Sequence, residues 1–103
     1  MRLRIVVLAI HVVAVGLTPV MAADADNGQR LAQRWCASCH IVAPDQREAS
    51  ADAPPFASIA KMPDFNAQKV AFFLLEPHPK MPAMALSRRD SEDIAAYIAK
   101  LGR

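Results

Sequence analysis

The sequence predicts an all-α domain of three to five short helices connected by long loops. Segments with apolar residues at helical spacing follow good N-cap residues, and no segment alternates with the period of two that a strand requires. Eight prolines are present, and those between the helical segments favour irregular structure. A chain of 103 residues has room for one domain.

The first predicted helix covers about residues 27–36. Asp26 and Gln29 form a capping-box pattern before apolar residues that recur with a helical period. The periodicity is then lost over 41–55, where proline, serine and aspartate favour a loop. The residues from Phe56 onwards allow one or two further helical turns.

Two more helices are predicted in the second half of the chain. One has Asn66 as its N-cap and ends before Pro77, which cannot continue a helix. The last has Ser87 as its N-cap and ends at Gly102. Its predicted buried residues lie at helical spacing: Ile94, Tyr97, Ile98 and Leu101.

Residues 1–23 resemble a cleavable secretory signal peptide. Two arginines precede an apolar run that ends at Val15, and Pro19 follows within a short breaking segment. Cleavage is expected after Ala22 or Ala23. The alternative, an uncleaved membrane anchor, is disfavoured because the unbroken apolar run is shorter than the ~20 residues of a spanning helix.

Residues 24–103 then form the mature domain. Two of the 12 basic residues belong to the leader, and those that remain equal the 10 acidic residues in number. No basic run interleaved with aromatic residues remains either, so the composition argues against nucleic-acid binding. A domain this small usually needs a disulfide, a metal or a cofactor to complete its core.

The chemistry is concentrated in the pentapeptide Cys36-Ala37-Ser38-Cys39-His40, which holds both cysteines of the chain. This is the C-x-x-C-H pattern of c-type haem attachment. The two thiols can form thioethers along one edge of a porphyrin, and His40 can then ligate the iron. We therefore predict one covalently attached haem c.

Three other interpretations of the pentapeptide are open. A thioredoxin-like redox pair requires a βαβ context, which the sequence does not predict. A structural zinc site requires a fourth strong ligand, for which only His78 is available in the mature chain. A disulfide between Cys36 and Cys39 would close too short a loop to stabilise the domain much.

The second axial ligand is a methionine or a histidine. Met81 is favoured because neighbouring prolines stiffen its segment, so little conformational freedom is lost on ligation. Met84 is the first alternative, and Met62 and His78 remain open. Ligation by His78 would give a lower reduction potential than ligation by a thioether.

At these residues the sequence resembles the class I cytochrome c family over most of the mature chain. The resemblance rests on pieces that follow one another in the family's order: Gly28 in a first helix, the pentapeptide, Pro54 and Phe56 after a loop, Lys80-Met81-Pro82, and a terminal helix containing Tyr97. It implies a cytochrome c-like bundle around one haem. It also implies that the first and last helices cross near Gly28, with Trp35 and Tyr97 at or near the contact.

The resemblance further implies a hydrogen bond from His40 to a proline carbonyl, which would orient the imidazole. The segment Ala53-Pro54-Pro55-Phe56 contains two prolines, so either carbonyl could accept it, with Pro54 the first choice. Trp35, Phe56 and Tyr97 are candidates for packing against the haem.

The implied function is electron transfer in the periplasm between transient redox partner proteins. The protein is expected to be a monomer that is not an enzyme, with no more than peripheral membrane contact. Lys80, Arg88 and Arg89 form either a local positive rim for a partner or an ordinary solvated helix start. Two alternatives are a subunit docked permanently to an oxidase or dehydrogenase, and an enzyme or sensor whose sixth iron position is open.

Overall fold

A computed structural model describes residues 11–17, 21–50, 52–76 and 80–103. These residues contain four helices and no strand, which confirms the all-α prediction; the helices are α1 (Ala25–Trp35), α2 (Phe56–Ala60), α3 (Ala67–Leu75) and α4 (Arg88–Leu101). No helix in the described part of the chain is long and apolar enough to cross a membrane.

Helix α1 begins two residues earlier than predicted. Its N-cap is Asp24, whose Oδ1 accepts hydrogen bonds from the backbone N–H groups of Asp26 and Asn27, each at 3.0 Å. The predicted capping box at Asp26 and Gln29 is therefore wrong. The physical reason is tertiary: the backbone N–H of Asp24 is also held by Asp93, so the helix start is set by α4 as well as by local sequence.

Helices α1 and α4 cross at Gly28, as the family resemblance predicted. A Cβ built on Gly28 would lie 1.9 Å from the carbonyl oxygen of Asp93 and 2.9 Å from the backbone nitrogen of Ile94. Only a residue without a side chain permits this approach. Gly28 therefore allows the two backbones to pack directly against each other.

The crossing is also held by a buried carboxylate. Asp93 is almost fully buried, and its two oxygens accept hydrogen bonds from the backbone N–H of Asp24 at 2.7 Å and from Nδ2 of Asn27 at 2.9 Å. A buried carboxylate is tolerated when both oxygens have donors. Sequence analysis did not predict this role of Asp93.

The predicted caps of α3 and α4 are confirmed. Asn66 accepts a hydrogen bond from the backbone N–H of Lys69 at 3.0 Å, and Ser87 and Asp90 form a capping box. Helix α4 ends at Gly102, whose φ of −87° is not left-handed. Glycine is needed there for space, because a Cβ would lie 2.9 Å from the carbonyl oxygen of Ala60.

The core lies between α1, α4 and the loop that follows the pentapeptide. Its buried members are Ala32, Cys36, Val42, Phe56, Ile94, Tyr97 and Ile98. Since Cys36 belongs to this cluster, the core extends directly to the predicted attachment site.

Candidate haem-attachment site

The pentapeptide forms a tight turn at the end of α1. Cys36 is the C-cap of the helix, and its N–H donates to the carbonyl of Ala32 at 2.8 Å. The N–H groups of Cys39 and His40 donate to the carbonyl of Cys36 at 3.1 Å and 2.8 Å. This turn brings the two sulfurs and the imidazole to one cavity.

The cavity has a volume of about 460 Å³ and mostly apolar walls. It is bounded by the pentapeptide on one side and by α2, α3 and the 80–84 segment on the others; its lining includes Trp35, Cys36, Cys39, His40, Pro54, Phe56, Ile59, Val70, Phe73, Leu74, Met81, Met84 and Ile98. An apolar cavity of this kind with a few convergent polar groups is typical of a cofactor site.

The imidazole of His40 is oriented by Pro54. Its Nδ1 lies 2.7 Å from the Pro54 carbonyl oxygen. A carbonyl can only accept, so Nδ1 must carry the proton and donate it, which leaves the lone pair of Nε2 available in the neutral ring. Of the two prolines in this segment, it is the carbonyl of Pro54 that the imidazole contacts.

The Pro54 segment is itself fixed against the chain after His40. The N–H of Phe56 donates to the carbonyl of Ile41 at 2.9 Å. The Phe56 ring lies 5.2 Å from the His40 ring, centroid to centroid, at an interplanar angle of 50°. His40 is thus held by a hydrogen bond and by a tilted ring contact.

Both cysteines are free thiols, and Cys36 is buried. Burial, with a smaller contribution from Cys39, raises the pKa of the Cys36 thiol to about 11. A thioredoxin-like pair works through a thiol of lowered pKa, so this environment is opposite to what that alternative requires. The all-helical context also disfavours it.

The zinc alternative gains no support from the described residues. Within them, no group of three or more His, Cys, Asp or Glu side chains is placed to hold a metal ion. His78, which that interpretation needed as its fourth ligand, lies outside the described residues.

Two of the methionine candidates lie on the cavity wall. Met81 and Met84 are both half-buried there, on the 80–84 segment. Met62 is on the surface with 48% of its area exposed.

The three aromatic candidates are in different places. Phe56 and Trp35 line the cavity. The guanidinium carbon of Arg34 lies 4.9 Å from the centroid of the Trp35 ring. Tyr97 lies in the core instead, where its hydroxyl donates to the carbonyl of Val42. Its position suits a structural role close to the attachment turn.

Sequence reasoning missed two residues that hold the attachment turn. Gln46 and Ser50, in the loop after His40, hydrogen-bond to backbone carbonyls of Ala37, Ser38 and His40. Neither belongs to a recognisable motif, and the loop has no periodicity that would indicate which face is buried. Only the fold reveals their role.

The donor set fits a covalently bound haem. Two unpaired thiols, an imidazole with a free Nε2 and two thioethers surround one apolar cavity. Histidine and methionine are established axial ligands of iron in c-type haem, and the C-x-x-C-H turn is its attachment motif. An all-α fold with this site defines the class of c-type cytochromes.

Comparison with known proteins agrees with this class. Residues 23–98 match the family described as cytochrome c oxidase, cbb3-type, subunit III. The chain is also 60% identical over 89 residues to a protein described as cytochrome c-552 from Bradyrhizobium diazoefficiens, with 86% of each chain covered. The chain therefore belongs to the class I c-type cytochrome family. No solved structure matches it.

Membership of this family establishes the cofactor and the kind of activity. The protein holds haem c, covalently attached, with its iron. It is an electron carrier and not an enzyme. The haem supplies one-electron exchange between ferrous and ferric iron when bound, and the chain supplies its ligands and surroundings.

Proposed function

We propose that this protein is an exported monohaem cytochrome that carries single electrons between redox partners, with His40 and Met81 as axial ligands. The observation that carries this proposal is the convergence of Cys36, Cys39, His40 and Met81 on one apolar cavity. With both axial positions filled by side chains, no position is left for a substrate.

Met81 is preferred to Met84 because of its local chain. Pro82 follows it directly and Pro79 lies two residues before it, so its backbone has few conformations to lose. Met84 lies on the same wall with less restriction. In this assignment Met84 packs over the haem and limits access of water.

The ligand assignment is tested with carbon monoxide and a matched pair of variants. Reduced wild-type protein should not form a rapid adduct at neutral pH, because Met81 occupies the sixth position. Met81→Ala should bind carbon monoxide readily and change the visible spectrum, whereas Met84→Ala should keep the wild-type spectrum. The reverse result would transfer the assignment to Met84, and two unchanged variants would exclude both residues.

The proposed leader, residues 1–23, would direct export to the periplasm, and its removal there would release the domain 24–103. Residues 21–24 support cleavage at this place, because they are exposed and lie outside any helix, so a peptidase could reach them. Cleavage after Ala23 would turn the Asp24 nitrogen into the terminal amino group. That nitrogen lies 2.7 Å from Oδ1 of the buried Asp93, which would pair with the new positive charge.

Transient contacts suit a carrier of this size, because a tight complex would slow turnover. The charge of the mature chain is balanced, so recognition depends on the surface around the cavity rather than on long-range steering. Lys80 is exposed at that rim and can form a local positive contact. The proposed free protein is a monomer.

A permanently docked subunit is the second candidate. It is favoured by the name of the matched family, which describes an oxidase subunit, and by the exposed aromatic side chains of α3, Phe72 and Phe73. Gel filtration of protein extracted without detergent separates the two. A free carrier elutes as an 80-residue monomer by the proposed processing, whereas a docked subunit co-elutes with its complex.

A further inference from the structure

The carboxamide of Gln46 reaches across the attachment turn from the loop behind it. Its Nε2 lies 2.9 Å from the carbonyl oxygen of Ala37 and 2.8 Å from that of His40. Its Oε1 accepts a hydrogen bond from the backbone N–H of Val42 at 2.9 Å. One side chain therefore contacts two backbone carbonyls within the pentapeptide and the backbone N–H of Val42, two residues after it.

Ser50 completes this contact at the middle of the pentapeptide. Its N–H donates to the Ser38 carbonyl at 2.7 Å, and its hydroxyl donates to the same oxygen at 2.5 Å. The carbonyl of Cys36 is already bonded to the N–H groups of Cys39 and His40. The loop thus closes over the carbonyls that the turn itself leaves open, which lowers the cost of placing this backbone beside an apolar cavity.

We propose that Gln46 is a positioning residue for the axial histidine. The inference rests on the proposed role of His40 as an iron ligand. The imidazole of His40 is fixed at Nδ1 by Pro54, and its main chain is fixed at the carbonyl by Gln46. Because both the ring nitrogen and the main-chain carbonyl of His40 are held, the imidazole has little freedom to tilt. Hydrogen-bond partners outside the metal-ligand shell commonly orient an axial ligand in this way.

Glutamine is the residue this position requires. The Val42 N–H needs an acceptor and the carbonyls of Ala37 and His40 need a donor, and a primary amide supplies both. Glutamate would keep the acceptor and lose the donor. Alanine would lose both and leave the N–H of the buried Val42 without its partner.

This difference gives a test on the haem-loaded protein. Gln46→Glu and Gln46→Ala are compared with Gln33→Glu and Gln33→Ala, which make the same chemical changes on the exposed face of α1. Two quantities are measured: the hydrogen-exchange rate of the Val42 amide and the midpoint reduction potential. A purely structural loop contact would alter the first without altering the second.

We expect Val42 exchange to be about tenfold faster in Gln46→Ala and nearly unchanged in Gln46→Glu. The potential should fall in both Gln46 variants by more than in the matched Gln33 variants, because a looser histidine and wetter surroundings favour the ferric form. Should Gln46→Ala fail to accumulate, Gln46→Met retains the length of the side chain without its hydrogen bonds and should lower the potential similarly.

Gln46 variants with the potentials of their Gln33 controls would overturn the proposal, even if Val42 exchange changed. That result would leave the proposed function intact, since haem attachment and electron transfer would continue. Failure of the proposed function has a different signature: His40→Ala would leave the ligand spectrum of the wild-type protein unchanged.

Discussion

The hydroxyl of Tyr97 donates a hydrogen bond to the carbonyl of Val42, with 2.5 Å between the oxygens. This bond joins the terminal helix to the chain two residues beyond His40. The backbone N–H of Val42 donates to Oε1 of Gln46, so both backbone polar groups of Val42 have partners. The position of the attachment turn therefore depends on α4 as well as on its own loop.

Tyr97 should make the protein less stable at alkaline pH. Burial, with a smaller contribution from the charge of Asp45, raises the pKa of Tyr97 above its ordinary value of about 10. From about pH 10 upwards the unfolded chain loses the tyrosine proton while the folded chain keeps it, so the free energy of unfolding falls with pH until the raised folded pKa is passed.

Denaturant unfolding of the wild type and Tyr97→Phe over this pH range isolates the effect. Tyr97 is the single tyrosine of the chain, and all lysines are common to both proteins. The wild type should lose more stability with rising pH than the variant. Parallel curves would show that Tyr97 ionises normally in the folded protein.

Gly28→Ala should destabilise the protein by at least about 2 kcal/mol, because the added methyl group would clash with backbone atoms, and only a shift of the main chain could relieve the clash. The added methyl would lie 1.9 Å from the Asp93 carbonyl oxygen, and the helices would have to separate. Urea unfolding followed by circular dichroism measures the loss. Gln33→Ala on the exposed face of α1 is the control; equal stability of the two variants would show that α1 and α4 are not in direct backbone contact.

Asp93→Ala should cost about 2 kcal/mol of unfolding free energy, because it removes the shared acceptor of Asp24 and Asn27. Glu92→Ala is the matched control, since Glu92 is exposed on the same helix. Thermal unfolding of both variants gives the comparison. A Glu92 variant as unstable as the Asp93 variant would mean that lost negative charge, rather than the lost acceptor, weakens the fold.

Phe56→Ala should cost about 3 kcal/mol, because the ring is buried beside His40 and its loss leaves a cavity. Phe72→Ala removes the same atoms from a side chain that is 64% exposed and should change stability by no more than about 0.5 kcal/mol. Guanidinium unfolding of the haem-loaded proteins measures both. Similar losses would mean that Phe72 is covered by a partner or another part of the chain.

The sequence was most informative where a local pattern decides the structure. Asn66 and Ser87 cap helices as predicted, because a side-chain acceptor beside free N–H groups acts locally. Cys36, Cys39 and His40 lie within five consecutive residues, so one turn brings all three to the same cavity. The class of cofactor could accordingly be inferred before the fold.

It was least informative where a distant segment decides. The N-cap moved from Asp26 to Asp24 because Asp93, far away in the chain, holds that end of the helix. Asp93 did carry a signal: it stands four residues before Tyr97 and therefore on the buried face of α4. Gln46 carried none, since its partners come together only when the loop folds back.

Mass spectrometry of the exported protein tests the central claim most directly. The claim is that Cys36 and Cys39 hold one haem as thioethers, and it predicts the mass of the processed chain plus a single haem that survives denaturation. A Cys36→Ala/Cys39→Ala double variant should lack that added mass. An exported wild-type chain with the mass of the polypeptide alone, its thiols free or joined to each other, would contradict the account.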